Sequence, residues 1–191
     1  MKNLNVRSSG SGRFTAAQLT ATGAMAAVVF VITLVRIPLG QSKVSPANAF
    51  CLLAGALLGP VPGGLAAGLG SALYDALLGG YDIVQALITF VSKFLMAWVC
   101  AVLFGSARER TLAKATPRLV LSCAAGAVTY VALYMLKTWI YQKYVYSYPA
   151  DAVLVTMGAK LIPSLINAAF AVVVAPLLYP ALNVIPRGMR S

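Results

Sequence analysis

Long apolar runs recur along this chain. Residues 16–35, 83–104, 119–141 and 153–182 each hold at most one charged side chain. A run of about 20 apolar residues is what a helix needs to cross a hydrocarbon core about 30 Å thick. Inside that core every backbone polar group must be satisfied within the protein, so such runs are read as helices. Composition agrees: 60% of the 191 residues are hydrophobic and 10% charged. A soluble domain is about half apolar and a quarter charged. No second polar domain is present in the sequence, so the chain reads as one compact membrane domain.

Six spans are predicted, giving an all-α membrane bundle. The first runs from about Ala16 to Val35 and is followed by "RIPLGQSKVSPANA", a polar turn with two prolines. The second is short, about Phe50 to Leu58 with a possible start at Ala47, and stops at "GPVPGG", a turn signal. The third runs from about Leu65 to Leu78 and ends at Gly79-Gly80, and the fourth covers Ile83 to Phe104. After the basic connector "GSARERTLAKATPR", the fifth runs from about Leu119 to Tyr141. The aromatic loop "QKYVYSYPAD" suits a membrane interface. The sixth runs from about Val153 to Leu182, interrupted by Pro163 and Pro176. The expected division is a tail at 1–15, a six-helix transmembrane domain at 16–182 and a tail at 183–191.

The net charge of +11 belongs to this topology rather than to a nucleic-acid surface. Six spans put both termini on one side. That side carries Lys2, Arg7, Arg13, Arg108, Arg110, Lys114, Arg118, Arg187 and Arg190. The other holds Arg36, Lys43 and Lys143, with Lys137 near the end of the fifth span. Cytoplasmic loops are enriched in Lys and Arg, so the termini are expected in the cytoplasm of a cell with a bacterial-type membrane.

Ionisable residues inside a membrane are costly and usually face a cavity or a partner. Three spans carry polar stripes at helical spacing: Gln85, Thr89 and Lys93; Tyr130, Tyr134, Lys137 and Tyr141; and Thr156, Lys160, Ser164 and Asn167. At 1.5 Å per residue, Lys93 lies roughly 15 Å beyond Ile83 and Lys160 about 10 Å beyond Val153. With Asp75 and the first-loop residues Gln41, Ser45 and Asn48, these stripes outline a pocket open to the outside. Two lysines deep in one bundle call for a ligand or an acid, and Asp75 is the acid expected near them in the bundle. It would pair with Lys93, orient it or meet ligand. Asp82 is expected at the aqueous mouth.

Other chemistry is poorly supported. The chain has no histidine, which removes the commonest general base and metal ligand, and no metal or cofactor is expected. There is no phosphate-binding GxxxxGK[ST] loop. "GLGSAL" lacks the third glycine and strand context of a dinucleotide site. Cys51, Cys100 and Cys123 sit singly in apolar runs and read as small buried residues. The pairs Ala17/Ala21 and Gly23/Ala27 have the small-xxx-small spacing that lets helices approach closely, either within the bundle or against another membrane protein.

Residues 47–104, "ANAFCLLAGALLGPVPGGLAAGLGSALYDALLGGYDIVQALITFVSKFLMAWVCAVLF", resemble the substrate-binding S-components of energy-coupling factor (ECF) transporters, most of all the riboflavin-transporter-type group. The shared features are the turn at Gly59, Pro60 and Gly63, the small-residue helix, the aspartate-to-"GGYD" stretch and the lysine midway along the next span. The resemblance implies a non-enzymatic subunit that captures a vitamin-like molecule from outside: riboflavin, pantothenate or a B6-like compound. Its pocket would be formed by spans four to six and the first loop. It also implies a transmembrane coupling subunit docked on Gly23 and Ala27, two cytoplasmic ATPases, and a toppling motion that carries substrate inward. Under this reading Lys93 and Lys160 supply positive donors, Asn167 and Gln85 neutral hydrogen bonds, and Tyr130, Tyr134 and Tyr141 aromatic walls, with Trp98 a weaker candidate. A self-sufficient secondary transporter or channel and a structural membrane subunit are the alternatives.

Overall fold

A computed structural model of the chain describes residues 15–35, 37–39, 42–105 and 112–182. Residues 1–14 and 183–191, Arg36, Gly40, Gln41 and the connector stretch 106–111 lie outside the described residues. With them go most of the basic residues that set the expected topology, including Arg108 and Arg110.

Six α-helices and a small hairpin make up the described chain: α1 (Ala16–Leu34), β1 (Ile37–Leu39), β2 (Ser42–Val44), α2 (Ala47–Leu58), α3 (Pro60–Leu77), α4 (Ile83–Phe104), α5 (Leu112–Ile140) and α6 (Ala150–Leu182). A π-helical turn, Tyr141–Val145, extends α5. Four helical stretches are long and apolar enough to cross a membrane: α1, α4, residues Thr116–Val145 and α6. The first loop is not a plain polar turn. It folds into antiparallel β1 and β2, with Ile37 opposite Val44 and Leu39 opposite Ser42.

Helix α1 opens with a capping box: Thr15 Oγ1 accepts from Gln18 N at 3.2 Å, and Thr15 N donates to Gln18 Oε1 at 3.0 Å. Its buried face is Gln18, Thr22, Ala26, Val29 and Thr33, steps of three and four residues. This stripe packs on α3, where a Cβ at Gly70 would run into the Ala26 carbonyl and the Val29 side chain. The small residues Gly23 and Ala27 fall on the opposite, exposed face of α1, together with Ala17; Ala21 is half-buried. A Cβ at Gly23 would meet nothing within 4 Å. Packing inside the described bundle therefore does not use the Gly23/Ala27 pair.

Helix α2 is the centre of the molecule. Of its 12 residues only Phe50 is not fully buried. It contacts α1, α3, α4, α5 and α6. The "GPVPGG" turn contracts to one residue. Gly59, at φ 98°, reverses the chain, and Pro60 is already the first residue of α3. Proline tolerates this first-turn position because its missing N–H has no helical partner there. Gly63 then lets the two arms close: a Cβ there would lie 2.5 Å from the Ala54 carbonyl oxygen. Helix α3 thus begins five residues earlier than the sequence pattern indicated.

Three further boundaries move. Helix α5 starts at Leu112, inside the basic connector, and Pro117 sits within it. The aromatic loop shrinks to residues 146–149, because Gln142–Val145 belong to the π turn and Ala150 opens α6. Helix α6 runs unbroken through Pro163, Pro176 and Pro180 rather than being interrupted. Membrane helices accommodate such prolines because neighbouring helices and local adjustments re-satisfy the freed backbone groups. All three cysteines are free and buried, with Cys100 Sγ and Cys123 Sγ 3.8 Å apart between α4 and α5.

Candidate ligand-binding site

A cavity of about 560 Å³ lies at the end of the bundle that carries the Gly79-Gly80 turn, walled by the ends of α1 and α3, the start of α2, and by α4, α5, the π turn and α6. That volume falls in the range of small-molecule sites, about 300–1,000 Å³. Its lining brings together Asn48, Asp75, Gln85, Thr89, Lys93, Tyr130, Tyr134, Lys137, Lys160, Ser164 and Asn167. Ser45 and Tyr141 join them. Gln41 lies outside the described residues. Thr156 is not in the lining; its hydroxyl donates to the Ala152 carbonyl at 2.8 Å. Trp98 is 39% exposed and also stands apart from the cavity.

Lys93 is the buried charge of the site, only 6% exposed. Its ammonium donates to Asn48 Oδ1, and it sits 3.8 Å from the Tyr130 ring centroid. These two partners come from α2 and α5, so the lysine ties three helices together at the cavity floor. Tyr130 stacks on Tyr134, with centroids 6.2 Å apart and ring planes 22° apart. The spacing of four on α5 produces that aromatic wall.

The upper cavity holds Lys137, Lys160 and Asp75. Lys137 is attracted by Asp75 and Asp82 and repelled by Lys160. Its ammonium lies 5.9 Å from the Tyr81 ring and 6.0 Å from the Tyr141 ring. Asp82 caps α4 from the exposed turn, its Oδ1 accepting from Gln85 N at 2.9 Å. It therefore belongs to the mouth and to the folding of α4.

Asn167 has a structural task as well. Its Oδ1 accepts from the Ser45 backbone N–H at 2.9 Å, fastening the strand-to-α2 segment to α6. The segment that leads into α2 is thereby tied to a residue of the cavity wall.

The lining also contains residues the polar stripes did not reveal: Thr33, Ser71, Ser92, Thr138, Gln142 and Tyr146. Three of these hide their polarity in the helix. Ser92 donates to Ile88 O at 2.7 Å, Thr138 to Tyr134 O at 2.9 Å, and Thr33 to Val29 O at 2.6 Å. A hydroxyl bonded this way fits any apolar helix, so it gives no sign of what it faces.

A family model for the ECF-type riboflavin transporter S component matches residues 13–184. Among solved structures, one described as "Structure and mechanism of the S component of a bacterial ECF transporter" superposes with a TM-score of 0.67. It is 17% identical and covers 86% of this chain and 94% of that one, a likeness of fold. No curated relative matches the chain.

Proposed function

The chain belongs to the ECF-type riboflavin transporter S-component family, and from that membership we propose that it captures riboflavin from outside the cell in the Lys93 cavity. Membership makes it the substrate-binding subunit of an ECF transporter. The single observation that carries the ligand reading is the cavity itself. About 560 Å³ of space is bounded by stacked Tyr130 and Tyr134, by Lys93 at its floor and by Lys137 and Lys160 above. Tyrosine faces accept a flat heterocycle. Ammonium groups, which only donate, suit its carbonyl oxygens.

In this reading the Gly80 end of the bundle faces outward and both termini lie in the cytoplasm. The tails at 1–15 and 183–191 flank one substrate-binding domain at 16–182. A coupling subunit docks on the exposed Gly23/Ala27 face of α1, and two cytoplasmic ATPases drive release, the chain having no phosphate-binding loop of its own. The hairpin β1–β2, latched through Ser45 and Asn167, closes over the ligand.

The test is mass spectrometry of ligand carried through purification, followed by titration with riboflavin, pantothenate and pyridoxine. Riboflavin should bind saturably and tightest. Absence of saturable binding across the panel sinks the capture reading, and tightest binding of another compound sinks the riboflavin assignment.

A further inference from the structure

Gln142 has a buried polar atom whose hydrogen bonding is incomplete. The residue is 6% exposed and lines the cavity, yet its Oε1 has no hydrogen-bond partner among the described residues. Its backbone is firmly held. Gln142 lies in the π turn, where Tyr146 N donates to Tyr141 O at 2.9 Å and Tyr148 N to Gln142 O at 3.0 Å. Single π turns are frequently found at functional sites, and this one closes α5 beside the cavity. An unmet buried acceptor carries a free-energy cost that a ligand donor would remove.

Donors and acceptors both line the cavity: Asp75 and Gln85 carry acceptor oxygens, and Gln142 Oε1 is the buried one without a partner among the described residues. Lys93, Lys137 and Lys160 can only donate. The Asn48 and Asn167 side-chain oxygens already accept from Lys93 and from Ser45 N. We propose that Gln142 is a specificity-determining residue whose carboxamide oxygen accepts the imide N–H of a pyrimidinedione ring, while lysine ammonium groups serve the carbonyls on either side. The inference rests on the riboflavin reading above and names the edge of the ligand that is recognised. An imide presents acceptor, donor, acceptor in one row, so its central N–H needs an acceptor amid donors. The terminal torsion of glutamine is broad, so the carboxamide turns its oxygen to the ligand with little strain.

The experiment compares riboflavin with 3-methylriboflavin, which lacks the imide N–H, on the full-length protein in detergent. Wild type should bind the methylated compound about 10- to 100-fold more weakly. Gln142→Met and Gln142→Ala should bind both compounds alike, and Gln142→Glu, which keeps an acceptor, should keep the discrimination. Equal binding of the two flavins by wild type overturns the proposal, as does a penalty undiminished in the Met or Ala variant. A measurement on wild type needs no variant: exchange of the imide proton with solvent should slow on binding, and exchange as fast as in free riboflavin overturns the proposal. Failure of wild type to bind riboflavin at all overturns the capture reading and this inference together.

Discussion

Replacing Lys93 with methionine separates a ligand-binding lysine from a scaffolding one. The change keeps the length and apolar stem but removes the ammonium. Three terms act on stability. Asn48 Oδ1 loses its donor, at about 1–3 kcal/mol. The contact over Tyr130, 3.8 Å from its centroid, is worth about 2 kcal/mol when desolvated. Against both stands the desolvation penalty of the buried ammonium, which is relieved on its removal and amounts to several kcal/mol per ion. The sum is near zero, and 1 kcal/mol moves Tm by about 2–4 °C in a domain of this size. Lys93→Met should therefore melt within a few degrees of wild type. Affinity should behave differently. A charge-assisted hydrogen bond to a ligand carbonyl contributes about 1.5–3 kcal/mol, so Kd should rise about 10- to 150-fold. Flavin fluorescence quenching and a thermal melt on the same detergent sample read both quantities. Affinity within about threefold of wild type, joined to a Tm drop beyond about 10 °C, would refute the reasoning and make Lys93 a tie between α2, α4 and α5.

Three other outcomes are expected. Asn167→Ala removes the 2.9 Å bond from Ser45 N; loss of one such bond, about 1 kcal/mol, should speed ligand dissociation about fivefold in stopped-flow release, and an unchanged rate would show that the latch does not hold ligand. Gly63→Ala forces a Cβ to 2.5 Å from the Ala54 carbonyl oxygen, whereas a Cβ at Gly158 meets nothing within 4 Å. The first should lower Tm by several degrees and the second should not, and equal melting curves would contradict the α2–α3 contact. Gly23→Leu with Ala27→Leu should leave riboflavin affinity intact while abolishing co-purification with the coupling subunit; an intact complex would remove α1 as the docking face.

The cavity lining was legible wherever a side chain had to be paid for in a membrane. Lys93, Lys137, Lys160 and Asn167 stand out in apolar helices, and their spacing of three and four fixes a face. Span four was legible to the residue because Asp82 caps it and Gly105 follows it. Elsewhere the sequence was ambiguous for physical reasons. Thr33, Ser92 and Thr138 satisfy themselves on the preceding turn and look the same in any helix. Prolines and glycines after Gly59 resemble a turn, yet Pro60 and Pro62 fall in the first turn of α3, where no backbone bond is lost. Gln142 followed a helix by one residue and so read as loop; the π turn that holds it has no distinct sequence mark. The face of α1 was undetermined because Ala, Gly and Thr suit either side of it. Only the contact with Gly70 decides that Ala26 points inward and Gly23 outward.

The shortness and burial of α2 bear on how the protein enters the membrane. Twelve residues rise about 18 Å, well short of a hydrocarbon core about 30 Å thick. A segment that short is a poor substrate for insertion by itself, and Asn48 makes it poorer. Gly59 joins it to α3 without a linker, so the two arms have to partition as one helical hairpin. The hairpin is complete only after Leu77 has left the ribosome, and most of its surface is destined for α1, α4, α5 and α6 rather than for lipid. The core element of the fold is therefore made before three of the helices that enclose it, α4, α5 and α6.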